Sequence, residues 1–143
     1  MKKLFFTEVR VIYGDTDAMG VAYHANYLRW FETGRTELLR ETGYPYSEIE
    51  KYPIWLPLTH AQVEYKKPAK YDDALLVCSN VAELGFASML LQYEITHKET
   101  GELLVTGTTR HGITDDQLKP IKLKRDYPEI YEMFCAIAAN HND

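Results

Sequence analysis

The chain has 143 residues, 45% of them hydrophobic, and a formal net charge of −5, the make-up of one globular domain spanning 1–143 rather than of a disordered segment. The acidic balance weighs against a nucleic-acid binder, which needs a basic face, and no apolar run reaches the length of a membrane span. Cys78 and Cys135 stand in a strand-like and a helix-like context, so free thiols in a cytoplasmic protein fit better than a disulfide framework.

In chain order, Phe5 to Tyr13 alternates and is β-rich, which predicts a first strand. Asp15 to Tyr23 reads as a loop. From Asn26 to Thr42 the residues Tyr27, Trp30, Phe31, Gly34, Leu38 and Leu39 recur at spacings of three and four, a long amphipathic helix with Asn26 as the expected cap and Gly43 as its stop. Gly34 in mid-helix costs about 1 kcal/mol against alanine, so it predicts a neighbouring element in close approach. Tyr44 to Tyr52 holds a turn and a short helix. Four strands follow at Trp55–Lys66, Ala74–Glu83, Ser88–Lys98 and Leu103–Thr114, the third alternating Met89, Leu91, Tyr93 and Ile95 with polar partners. Lys98 to Gly101 forms a hairpin turn. A closing helix is expected with Asp126 as cap, Pro128 and Glu129 in its first turn, and an apolar stripe of Ile130, Met133, Phe134 and Ile137. This order predicts an α+β fold, one long helix against a curved antiparallel sheet. One helix covers little of such a sheet, so its free edge and face predict association with a second copy.

The densest chemistry lies between Tyr13 and Tyr27, YGDTDAMGVAYHANY, where two carboxylates, a glycine turn and a histidine run into the helix start. Unpaired backbone N–H groups there stabilise anions and polarised carbonyls. Asp17 can act on water as a base or attack an acyl carbon directly, whereas Asp15 reads as a loop-bracing carboxylate. Gly20 lets the loop turn. Glu32, Arg35 and Glu37 read as helix-surface or interface charges, with Glu32 able to approach a substrate channel from a partner subunit. His60 and His111 read as structural. The clusters Lys66, Lys67, Lys70 and Lys119, Lys122, Lys124, Arg125 are either solvated charge or a landing site for a polyphosphate. No Ser-His-Asp or Cys-His triad and no zinc spacing is present in the sequence.

The succession of a strand, G-D-T-D-x-x-G-V-x-Y-H-x-x-Y and a helix bearing WFETGRTELLR resembles the hotdog-fold acyl-CoA thioesterases, in the branch of 4-hydroxybenzoyl-CoA thioesterase and the YbgC-type proteins associated with the Tol–Pal system. The likeness runs from about Glu8 to Leu123, and VEYKKPAKYDD (Val63 to Asp73) supports it. The resemblance implies a homodimer or homotetramer with acyl-CoA sites at the subunit interface, and no cofactor, because coenzyme A arrives as part of the substrate. It implies no metal, no nucleic acid and no membrane insertion. Asp17 matches the catalytic aspartate, Tyr23 and its neighbours the oxyanion-binding amides, and His24 the motif histidine. Gly20, Tyr27 and Ser88 are expected substrate-binding positions, and Lys66, Lys67 and Lys70 are expected to supply the phosphate contacts in place of the family's own. In the segment Glu83 to Ser88 only Ser88 matches, and the basic residues that hold the nucleotide in the 4-hydroxybenzoyl-CoA enzyme are missing. Ala22 stands where the family usually has valine. The alternatives left open are an acyl-carrier-protein thioesterase, a hydratase on the same fold, and a non-catalytic acyl-binding scaffold.

Overall fold

The computed structural model describes residues 4–141. After β1 (Phe5–Arg10), a single 3-10 turn at Tyr13–Asp15 opens the loop to α1 (Asn26–Glu41). The short α2 (Tyr46–Ile49) precedes β2 (Leu58–Tyr65), β3 (Ala74–Leu84), β4 (Ser88–His97) and β5 (Leu103–Gly112). The chain ends in α3 (Leu123–Asp126), α4 (Pro128–Ile137) and β6 (Ala138–His141). The α+β class and the four central strands follow the hydrophobic pattern; β2, β4 and β5 are shorter than expected by one to three residues at an end where loops take over, and β3 runs one residue longer.

The strands lie in the order β1-β3-β4-β5-β2, each pair antiparallel, and β6 pairs in parallel with the end of β3, Val81 to Leu84. The sequence did not announce β6: four residues after a helix carry too little alternation to show a strand. Two caps also differ from expectation. Asn26 is the first helical residue and caps nothing; its side-chain amide donates to the Asp15 carbonyl at 2.7 Å. Asp126 serves α3, accepting the Lys122 N–H at 3.2 Å, and Tyr127 precedes α4 without a side-chain cap.

One face of the sheet receives α1, which contacts β1, β3 and β4. Buried Met89, Leu91, Tyr93 and Ile95 from β4 meet Trp30, Phe31 and Leu38 from the helix, and Phe31 stacks on Tyr93 with ring centroids 4.3 Å apart. Gly34 makes this approach possible: a Cβ there would stand 2.4 Å from Ser79 Oγ and 2.8 Å from Val77 Cγ1. Along β2 every residue but Val63 is exposed, so the sheet ends in an eight-residue open edge.

The sheet thus has two ends. One gathers the end of β1, the start of β3, the end of β4 and the end of β2. The other gathers the starts of β2 and β4 and the ends of β3 and β5.

Candidate active site

At the first end, the loop between β1 and α1 is fixed mainly by one buried carboxylate. Asp15 Oδ2 accepts the Ile12 N–H at 2.9 Å, and Oδ1 pairs with the guanidinium of Arg29. Its backbone carbonyl accepts the Tyr23 N–H at 2.8 Å together with the Asn26 amide. Both ends of the loop therefore close on one residue, the bracing role expected of it.

Between these anchors residues 16–22 fold back as a small hairpin, with Thr16 bridged to Ala22 and the Asp17 N–H donating to the Val21 carbonyl at 2.9 Å. Gly20 sits at φ +79°, a left-handed turn position that glycine adopts without strain, and closes the turn by donating to the Asp17 carbonyl at 3.0 Å. Asp17 is half-buried at the tip. Its Oδ1 accepts the Met19 N–H at 2.8 Å; among the described residues Oδ2 has no hydrogen-bond donor. One carboxylate oxygen is oriented and the other is open.

The chain then enters α1. The expected oxyanion donors were Tyr23 and its neighbours, and the geometry separates them. The Tyr23 N–H is committed to Asp15, whereas the amides of His24 and Ala25, both exposed, meet no acceptor among the described residues. His24 lies against the Tyr23 ring, centroids 4.4 Å apart, and its carbonyl accepts the Tyr65 hydroxyl at 3.0 Å. Tyr65, at the end of β2, is a contact the sequence did not single out, because it joins positions 41 apart.

Tyr27 is buried, and its hydroxyl accepts the Ala69 N–H at 3.1 Å; burial pushes its phenol up from the ordinary value. It holds the segment before β3 against the loop, where Ala22 donates to the Ala69 carbonyl at 2.8 Å and Val21 bridges Lys70. Of the three expected lysines, Lys67 is paired with Glu102 at 2.8 Å and Lys66 lies 3.5 Å from Glu64. Lys70 has no ion pair among the described residues and stands beside the loop.

Ser88 is elsewhere. It begins β4 opposite Gly112, at the other end of the sheet from Asp17, about 30 Å along a ten-residue strand. That end holds the second basic cluster: Phe86, Lys122, Lys124 and Arg125 line a cavity of about 440 Å³. Arg125 is tied to Asp126 at 2.8 Å and Lys124 lies over the Tyr131 ring at 5.8 Å, while Lys122 has no ion pair among the described residues. The sequence marked these cations but not Phe86, which reaches them only because the β3–β4 turn folds beside α3.

The matched family and relatives agree with this architecture. A model of the thioesterase-like superfamily matches residues 11–136. The chain is 32% identical over 124 residues to the acyl-CoA thioesterase YbgC of Haemophilus influenzae, covering 85% of this chain and 90% of that one. It is 35% identical over 123 residues to YneP of Bacillus subtilis, covering 85% and 88%. Its fold matches the crystal structure of a DHNA-CoA thioesterase from Staphylococcus aureus with a TM-score of 0.88 and 35% identity, over 94% and 90% of the two chains.

Proposed function

The chain belongs to the thioesterase-like superfamily, in the YbgC-like branch of hotdog acyl-CoA thioesterases, and from that premise we propose that it hydrolyses acyl-CoA through Asp17 and the amides at the start of α1. The observation that carries the reading is the pairing of an oriented carboxylate with an open oxygen and two exposed amides that lack acceptors, all set by the Asp15 clamp.

With the thioester carbonyl at the His24 and Ala25 N–H groups, water attacks the acyl carbon while the open Asp17 oxygen takes its proton. The carbonyl oxygen becomes an oxyanion held by those amides, each such donor supplying roughly 3–4 kcal/mol in acyl-transfer enzymes. The C–S bond then breaks, the acid departs, and the thiolate of coenzyme A recovers the proton from Asp17. Direct attack by the carboxylate gives a mixed anhydride that water opens instead. Single turnover in ¹⁸O water detects an anhydride opened at its Asp17 carbonyl, which leaves the label in Asp17 and releases unlabelled acid; attack of water on the acyl carbon puts the label in the acid. The aromatic ring of His24 is proposed to border the thioester, and Tyr27 to hold the site's outer wall.

The open β2 edge supports a homodimer in which two β2 strands pair antiparallel about a two-fold axis. Such pairing sets the Asp17 end of one protomer beside the opposite end of its partner. The partner's β4 then lies three strand spacings from β2, about 14 Å away at 4.8 Å each. Ser88 and the Phe86–Lys122–Lys124 cavity of the partner thereby face the open side of the Asp17 loop. On this reading the pantetheine arm crosses the edge, and the nucleotide phosphates meet Lys122 and Lys124 of the partner, with Lys70 nearer the thioester.

The test is thiol release from a panel of acyl-CoAs by the wild type and Asp17→Asn, with sedimentation of both. Turnover lost in a variant of unchanged size supports the reading. Equal turnover in both removes Asp17 from the mechanism, and no turnover by the wild type on any acyl-CoA removes the activity.

A further inference from the structure

The two open amides at the start of α1 differ in what holds them. In a trans peptide the carbonyl of one residue and the N–H of the next share a rigid plane and point in opposite directions. A partner on the oxygen therefore also sets the hydrogen. The His24 N–H shares its peptide with the Tyr23 carbonyl, which accepts the Asn26 N–H at 2.9 Å. That bond spans three residues and belongs to the turn entering the helix. The Ala25 N–H shares its peptide with the His24 carbonyl, which lies before the first residue of α1 and meets no backbone donor among the described residues. Its donor is the hydroxyl of Tyr65, at 3.0 Å, reaching in from the last residue of β2. One oxyanion amide is thus set locally, and the other by a side chain from a distant strand.

The Tyr65 ring is itself held in place. It stands edge-on to Tyr27 with centroids 5.4 Å apart and edge-on to His24 at 6.5 Å. Tyr27 is buried and tied to the Ala69 N–H, so it forms a firm wall behind the hydroxyl. The hydrogen bond to His24 is exposed, and water replaces either partner when it breaks, so it adds little to stability. Its consequence is for the peptide group. The bond stops that plane from turning, and it draws electron density onto the carbonyl oxygen. Ala25 N–H becomes a better donor for it, by roughly 10–30% per bond in such a chain.

We propose that Tyr65 is a positioning residue for the thioester reaction: its hydroxyl holds the His24 carbonyl so that the Ala25 N–H is aimed and polarised as the second oxyanion donor, beside that of His24. This rests on the thioesterase reading and adds to it a residue from β2. Tyr65 acts through one peptide group and has no part in the proton transfers assigned to Asp17. Because the oxyanion exists only once the acyl carbon is attacked, an amide aimed this way acts mainly on the transition state and little on substrate binding.

The experiment uses Tyr65→Phe, which keeps both ring contacts and removes only the hydroxyl. On the acyl-CoA that the wild type hydrolyses best, the variant is expected to lower kcat about tenfold, less than the roughly 10²–10³ lost with a whole oxyanion donor. KM should stay within about twofold, and the urea midpoint should not move. A second readout follows the carbonyl itself. The dethia analogue of the same acyl-CoA, with CH2 in place of sulfur, is a ketone that the enzyme cannot hydrolyse. Its ¹³C-labelled carbonyl stretch should fall in frequency on binding the wild type, and fall less on binding Tyr65→Phe, a difference that loss of packing does not produce. An unchanged kcat in Tyr65→Phe, or the same carbonyl frequency in both proteins, overturns the inference while the thioesterase reading stands. A wild type that turns over no acyl-CoA overturns both.

Discussion

The two ends of the sheet are built in opposite ways. At the Asp17 end the proposed catalytic groups come from one loop of about a dozen residues, and the groups that fix them are mostly backbone amides and carbonyls within it. At the Ser88 end, Phe86, Lys122, Lys124 and Arg125 are brought together from two distant stretches, and the cations are long, exposed side chains. The first end is rigid and short-range, suited to chemistry that fails with small displacements. The second is adaptable and electrostatic, suited to holding a charged handle at a distance.

The sharpest way to break this comparison is within the loop, where two aspartates two residues apart have different duties. Asp17→Asn is expected to lower kcat by about 10²–10⁴-fold with the urea midpoint unchanged, the range for a positioned acid–base group. Asp15→Ala is expected to cost about 2–3 kcal/mol in urea unfolding, because Ile12 N–H is orphaned and Arg29 loses its partner. If Asp15→Ala leaves stability intact, the clamp is not what fixes the site.

At the other end, Lys122→Glu with Lys124→Glu is expected to raise KM for acyl-CoA about tenfold, or about 1.4 kcal/mol, with kcat retained. The KM of the corresponding N-acetylcysteamine thioester, which has no nucleotide, should not move. Equal effects on both substrates place the phosphates elsewhere. Mixing this variant with Asp17→Asn tests whether the ends meet across two subunits. With substrate well below KM, exchange of protomers should raise the rate to about a quarter of wild type, since half the dimers are mixed and each has one intact site. No recovery in dimers shown to exchange means each site is built within one chain.

The smallest expected effect belongs to His111, which lies between the ends. Its folded pKa is depressed by burial, so the unfolded chain binds the proton more readily and stability falls as pH drops below about 6.5, levelling off under the folded value. His111→Asn should flatten that part of the stability profile measured by urea unfolding between pH 7 and 5. An unchanged slope assigns the titration to another group.

Much of this was legible without coordinates. Alternation placed β3, β4 and β5, the helical period placed α1, and Gly34 foretold the close approach that Ser79 and Val77 make. The motif separated Asp15, which the structure clamps, from Asp17, which it leaves with one open oxygen, since a turn, a glycine and a helix start are all local. Which amides at the helix start are open was not legible: that Tyr23 is engaged and His24 and Ala25 are open depends on where one carbonyl points.

What the sequence alone determined, then, is the fold class and the turn-and-helix-start layout of the loop, because both are written in spacings of two to four residues that backbone geometry reads directly. Tertiary structure decided which charges are spent and which are available. Lys67 is neutralised by Glu102 from 35 positions away, and Arg35 is aimed by Tyr93 from 58 positions away. Such pairings are set by strand register and by how α1 seats on the sheet, and no local pattern in the chain records them.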